Sequence, residues 1–170
     1  HRDWQTPVVH ALPRGGVPVA SEVARDPDAP LDILVVRKIG HPRHEEFAIG
    51  ALASGGVLVM NSQGDSFLGD ASRSEVERIV QREKAELERR EKLYRGDDPA
   101  LPVEGREVIL VDDGLATGAT MRAAVQAVRQ LGPARVTVAV PVGARERCDA
   151  LEAVADDVVC GRRAEPFQAG

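Results

Sequence analysis

Short continuous apolar runs alternate along this chain with stretches whose apolar positions recur every third or fourth residue. Residues 8–12, 31–36, 108–111, 135–140 and 157–160 are runs of the first kind, the pattern of strands buried on both faces. Residues 17–25, 121–131 and 144–154 show helical spacing; in the first of these Val19, Ala20, Val23 and Ala24 share one side. Residues 49–53 and 57–61, joined by Ser54-Gly55-Gly56, read as a hairpin. Residues 72–95 predict a long, strongly charged helix with a thin apolar stripe of Val76, Ile79, Val80, Leu87, Leu93 and Tyr94. Ser72 and Ser74 each have a Glu three residues later, so either could supply its capping box. That helix reads as a solvated element laid over the domain; a dimer contact or a lid is the sharper alternative. Strands alternating with helices imply an α/β fold, a mostly parallel twisted sheet with helices on both faces, joined here by a small hairpin or flap.

The chain of 170 residues suits one domain, residues 1–170, and both ends read as trimmed. Hydrophobic residues at 43% and charged residues at 29% are those of a globular protein. No run approaches membrane-spanning length and no signal peptide opens the chain, so a membrane role is not expected. A net charge of −5 and only 3% aromatics argue against a nucleic-acid partner. Cys148 and Cys160 fit no zinc or C-x-x-C spacing, so reduced thiols in a cytoplasmic protein are the expectation.

Chemistry concentrates in residues 108–121. The apolar run ends in two adjacent carboxylates, Asp112 and Asp113, followed by a small-residue turn and then the helix beginning near Met121. A strand emptying through such a turn into a helix N-terminus gathers backbone N–H groups and the positive end of the helix dipole at one spot, which suits a phosphate. Thr117 and Thr120 add hydroxyl donors, and the acidic pair can accept hydrogen bonds from the hydroxyls of an attached sugar. Two carboxylates at a buried strand end are costly without a ligand. The P-loop pattern fails because no Lys follows Gly118, and the dinucleotide glycine spacing is absent. The residues describe a pocket for a sugar 5-phosphate. Two further segments follow strands and can reach the same sheet edge: the turn Pro13-Arg14-Gly15-Gly16, and the segment 37–46 that opens on Arg37-Lys38. His41, His44, Glu45 and Glu46 match no zinc or di-iron template.

The Asp-Asp-Gly-Leu-Ala-Thr-Gly-Ala-Thr stretch resembles the phosphoribosyl-pyrophosphate (PRPP) loop of the type I phosphoribosyltransferases. With Ala-Leu-Pro-Arg-Gly-Gly-Val-Pro-Val-Ala and Val-Val-Arg-Lys-Ile-Gly, the chain looks most like a poorly characterised group of bacterial phosphoribosyltransferases, some fused to hydrolase-like domains. The resemblance implies transfer of a phosphoribosyl group from PRPP to a small nitrogen-containing acceptor. Asp112 and Asp113 would hold the ribose hydroxyls, and Ala116, Thr117, Gly118, Ala119 and Thr120 would cradle the 5-phosphate. Arg14 and Gly15 would bind pyrophosphate, and Arg37 and Lys38 would stabilise its departure. Mg²⁺ would enter through the substrate, with Asp112 and Asp113 as its protein ligands. Glu45 or Glu46 would handle a proton on the base and Phe167 would stack on it; a Phe packed onto the core is the alternative for the latter. Hypoxanthine–guanine enzymes carry an Asp where this chain has Ala116, so the loop looks closer to the adenine and uracil branches. A homodimer is compatible with the resemblance. The rival reading is a PRPP or nucleotide sensor that keeps the loop without turnover.

Overall fold

The computed structural model describes residues 7–25, 29–60, 73–115 and 118–164, with the backbone alone for 162–164. Its elements run β1 (Val8–Ala11), α1 (Gly16–Arg25), β2 (Leu31–Ile33), β3 (Val36–Gly40), β4 (Ala48–Ala53), β5 (Val57–Met60), α2 (Arg73–Arg95), β6 (Glu107–Val111), α3 (Ala119–Arg129), β7 (Arg135–Ala144), α4 (Arg145–Leu151) and β8 (Asp157–Ala164). Five strands form a sheet in the order β2-β1-β6-β7-β8, and every pairing in it is parallel. The alternation of side chains along each strand divides the core in two. Val9, Ala11 and Val111 meet Ala20 and Ala24 of α1 on one face. Val108, Leu110, Val136 and Val138 meet Met121, Ala124, Val125 and Val128 of α3 on the other, which is why the strands read as continuous apolar runs.

The run 31–36 is not one strand. The chain leaves the parallel sheet at Leu34 and Val35 and enters a second, antiparallel sheet of β3-β4-β5. Ser54 fixes the crossing: the Val35 N–H donates to its Oγ at 2.8 Å, and the Ser54 N–H donates to the Val35 carbonyl at 2.9 Å. A continuous apolar run carries no mark of where a chain changes sheets. The expected hairpin is therefore three-stranded, with Arg37 and Lys38 inside β3 rather than at the mouth of a loop. The small sheet is packed on both sides. Val35, Ile39, Ile49 and Leu52 meet Leu87, Val76, Ile79 and Val80 of α2, while Ala53 and Val57 meet Ala127 of α3.

Helix α2 lies over this sheet as expected, with Leu93 of its apolar stripe exposed. Ser74 lies inside the helix, whereas Asn61 and Ser72 fall outside the described residues. Strand β7 runs past the expected end to Ala144, and α4 is correspondingly shorter. The expectation of reduced thiols is not met: Cys148 on α4 and Cys160 on β8 form a disulfide. Their 12-residue separation folds α4 back along β8, a meeting that the spacing alone does not announce. No helix among the described residues is long and apolar enough to cross a membrane.

Candidate functional site

The carboxyl ends of β1 and β6 bring the first two predicted segments together. The Leu12 N–H donates to the Val111 carbonyl at 2.9 Å, which docks the turn 13–15 against the end of β6. The turn has room only because it carries glycines. A Cβ on Gly15 would overlap the Asp113 carboxylate, and one on Gly16 would lie 2.5 Å from the Val111 carbonyl oxygen. The Pro13–Arg14 peptide is cis.

Asp112 is half-buried at the strand end and Asp113 is exposed. The Asp113 N–H donates to Asp112 Oδ1 at 2.8 Å. Burial pushes the Asp112 carboxyl up to about 6; the Asp113 N–H opposes the shift, and the adjoining Asp113 carboxylate adds to it. A cation or a set of sugar hydroxyls would relieve that cost, so the pair is suited to a ligand that brings either.

Beyond the pair the chain enters α3. Its N-cap is Gly118 with φ +79°, the left-handed region that glycine occupies without penalty, and this N-cap residue has no side chain with which to cap the helix. The N-terminus therefore offers its dipole and first-turn donors to the same space. Thr120, in that first turn, is the common wall of three cavities. One of about 530 Å³ holds Asp112, Asp113, Met121 and the β7 residues Val142 to Ala144. A second, of about 660 Å³, lies between the small sheet and α3 and holds Lys38 and Arg122. A third, of about 340 Å³, holds Arg14 with Arg89, Arg90 and Tyr94 of α2.

The structure thus gathers Arg14, Gly15, Lys38, Asp112, Asp113, Gly118, Ala119 and Thr120 around one helix end. Strand alternation separates Arg37 from Lys38. Lys38 faces α3, whereas Arg37 faces α2 and donates from Nε and Nη2 to Glu83 Oε2 at 2.9 and 2.8 Å. Glu45 and Glu46 are exposed on the β3–β4 loop, outside the three cavities, with a Glu46 carboxylate oxygen 3.8 Å from His44 Nδ1. His41 is buried, and its Nδ1 accepts a hydrogen bond from the Arg43 N–H at 3.0 Å. Ala116, Thr117 and Phe167 lie outside the described residues.

Sequence reasoning missed three contributors. Val142 to Ala144 reach the site because β7 continues beyond Val140, a continuation hidden by Pro141, which reads as a strand end. Arg122 lies one turn into α3. Arg89 and Arg90 look in sequence like ordinary charges on a solvated helix.

Known proteins share this architecture. The structure of TT1426 from Thermus thermophilus superposes with a TM-score of 0.83 and 46% identity, over 98% of this chain and 78% of that one. An adenine phosphoribosyltransferase from Thermoanaerobacter pseudethanolicus shares the fold at a TM-score of 0.52 and 13% identity, over 96% of this chain and 73% of that one. A Mycobacterium tuberculosis protein that bears the name of a phosphoribosyl transferase, Rv0571c, is 45% identical over 155 residues, covering 90% of this chain. The chain spans 34% of that relative's length. A parallel sheet ending in an acidic pair, a glycine-lined turn and a helix N-terminus is thus found where the sequence pattern of the phosphoribosyl transferase domain matches residues 1–166, and the chain belongs to that family.

Proposed function

We propose that this domain transfers the 5-phosphoribosyl group of PRPP to a small nitrogen nucleophile and releases pyrophosphate. The observation that carries this reading is Thr120, where a carboxylate cavity, a lysine cavity and an arginine cavity meet at one helix N-terminus. Acidic and basic cavities converging on one helix N-terminus suit a ligand that combines a phosphate, a diol and a diphosphate in a single molecule.

In this reading Gly118, Ala119 and Thr120 seat the 5-phosphate, and Ala116 and Thr117 complete the same loop. Asp112 and Asp113 accept hydrogen bonds from the ribose hydroxyls and hold the sugar against the β6 end. The bond from C1 to the pyrophosphate oxygen breaks, a bond from C1 to the acceptor nitrogen forms, and the electron pair leaves with the pyrophosphate. Arg14 and Lys38 meet the charge that grows there, while the carboxylates face the electron-poor ribosyl centre. Catalysis is then placement and electrostatic stabilisation, with no covalent enzyme intermediate.

Two carboxylates with one side open to substrate suit Mg²⁺, which favours one or two carboxylates together with substrate phosphates over an all-protein cage. Asp112 and Asp113 would hold it, and it would neutralise charge on the departing diphosphate. The donor is a polyanion that does not cross a bilayer unaided, and this reading places the domain with it in the cytoplasm. The acceptor would enter beside Val142 to Ala144, where the wall is apolar apart from the backbone.

Calorimetric titration of PRPP with and without Mg²⁺, followed by pyrophosphate release against a panel of nitrogen bases, tests the proposal. Mg²⁺-dependent binding with release for one base is the expected result. Binding without release for any base would replace the transferase by a PRPP sensor, and absence of binding would remove the reading altogether.

A further inference from the structure

Helix α2 is fastened on both sides of one short segment. On the N-terminal side Leu87 is buried among Ile39, Ile49 and Leu52, and Glu83 pairs with Arg37 at 2.8 Å. On the C-terminal side Arg95 Nε lies 2.9 Å from Asp32 Oδ1, with both side chains largely buried, and its Nη2 donates to the Ile33 carbonyl at 3.1 Å. Between these anchors Arg89, Arg90 and Tyr94 are suspended over the turn that carries Pro13 and Arg14. The enclosed space, about 340 Å³, reaches Thr120 at the end of the phosphate cradle.

The charges in this space do not balance. Arg89 and Arg90 share a single carboxylate, Glu86, at 2.7 and 3.1 Å. Arg14 has no ion-pair partner among the described residues. Three arginines that line one cavity, against one carboxylate, leave a surplus of two positive charges beside it. The pairs with Glu86 are ordinary for a helix surface; what is not ordinary is that both arginines line a cavity together with Arg14, an arrangement that suits a polyanion. The fastening of α2 also means that the backbone carrying Arg89 and Arg90 is in place before any ligand arrives, which lowers the cost of gathering them.

We propose that Arg89 and Arg90 of α2, with Arg14, form the seat of the pyrophosphate group. Arg37, to which the family resemblance gives that task, instead fastens α2 through Glu83 and so acts as a positioning residue for the two arginines. The inference rests on PRPP being the ligand of the domain. It explains why a helix with so thin an apolar stripe is tied to the rest of the fold by two partly or largely buried ion pairs. Its geometry follows the ligand: phosphate at Gly118 to Thr120, diol at Asp112 and Asp113, diphosphate towards the 13–15 turn and the helix above it.

The test is calorimetry of free pyrophosphate, PRPP and ribose 5-phosphate with the wild type, the double variant Arg89→Gln/Arg90→Gln, Arg90→Lys and Arg78→Gln. Arg78 is an exposed cation of the same helix outside the cavity, so its variant removes a charge without touching the seat. The double variant is expected to bind pyrophosphate and PRPP about tenfold more weakly or worse, by the loss of charge-assisted hydrogen bonds. Ribose 5-phosphate should bind it as well as it binds the wild type, Arg90→Lys should fall between, and Arg78→Gln should change nothing. The lost pairs with Glu86 are solvent-exposed and of little worth to the fold, which thermal melting of each variant checks. Unchanged pyrophosphate and PRPP affinity in the folded double variant overturns the proposal. So does an equal loss for all three ligands, which would mean a diffuse field and no seat. Should the wild type bind free pyrophosphate but neither PRPP nor ribose 5-phosphate, the seat stands and the transferase reading falls.

Discussion

Gly15 and Asp113 occupy one another's space: a Cβ at position 15 would overlap the carboxylate at position 113. The arginine turn and the acidic pair are therefore one unit, closed by the absence of a side chain. Gly15→Ala should force either the turn or the carboxylate aside, costing about 1–3 kcal/mol of stability and most of the PRPP affinity. Gly56→Ala is the control. Its φ of +74° makes it strained too, but nothing lies within 4 Å of the added carbon. Melting curves should show both variants destabilised, whereas PRPP titration should show only Gly15→Ala impaired. Wild-type affinity in Gly15→Ala would mean that the turn is not part of the ligand's seat.

Adjacent residues in β3 carry unlike duties, and mutation should separate them. Arg37→Ala and Glu83→Ala should each destabilise the fold, and the double variant should lose less than the sum, with a coupling of about 1–2 kcal/mol for a half-buried charged pair. Lys38→Ala should leave stability nearly untouched, because its side chain is exposed and without an ion pair among the described residues. It should lower turnover more than it lowers ribose 5-phosphate affinity. Denaturant melts and steady-state rates on the same variants check both halves.

How much of the fold and site is legible in the sequence depends on how local the signal is. The strand, acidic pair, turn and helix over 108–121 follow one another along the chain, so the order of residues alone announces their meeting. The docking of the 13–15 turn against Asp113 is legible as an expectation, since both segments follow strands of one parallel sheet. Arg37 and Lys38 read as a pair because residues 31–36 conceal a change of sheet, and only the register of β3 shows that the two side chains diverge. For α2 the sequence offers a lid only as the alternative to a solvated helix, and nothing in it singles out Arg89 and Arg90. Arg89 and Arg90 acquire their place from Glu83 and Arg95, whose partners Arg37 and Asp32 lie 46 and 63 residues away. The Cys148–Cys160 bridge likewise depends on how α4 turns back onto β8, which no spacing encodes.

That bridge should contribute measurably to stability. It closes a loop of 12 residues' separation between α4 and β8, for which chain entropy gives about 3 kcal/mol. Reduction with dithiothreitol, or Cys160→Ser, should lower the melting temperature without abolishing PRPP binding, since neither cysteine lines the cavity of the acidic pair. Thiol alkylation followed by mass spectrometry reports the redox state of the sample melted. Equal melting temperatures for the oxidised and reduced protein would show that α4 and β8 hold together by packing alone.

A buried histidine and a half-buried aspartate should give the stability–pH profile opposing slopes in one window. His10 is buried on β1, 3.9 Å from Asp32, with no hydrogen-bond partner for its Nδ1 among the described residues. Burial lowers its pKa to about 4; Asp32 pulls it up and Arg95 pushes it further down. A histidine more readily protonated unfolded than folded makes stability rise with pH between about 4 and 6.5, because the unfolded chain binds the extra proton. Asp112 acts the other way. With its folded pKa raised to about 6 from 3.8, the folded state holds the extra proton, and stability falls as pH rises across that interval. The wild type should therefore be nearly flat between about pH 4 and 6, the window the two titrations share, and each variant should expose the other's slope. Asp112→Asn should gain stability at neutral pH and lose it steadily as the solution is acidified. His10→Gln should show the reverse trend, growing more stable towards acid until the remaining carboxylates titrate. Binding sets the two apart once more: PRPP affinity should fall more steeply as pH drops through about 6 in the wild type and in His10→Gln, where Asp112 and the ligand's phosphates both take up protons, than in Asp112→Asn, where only the phosphates do. Chemical denaturation at closely spaced pH values, paired with titration of PRPP at each, decides it; a wild-type affinity whose pH dependence is no steeper than that of Asp112→Asn would remove Asp112 from the ribose site.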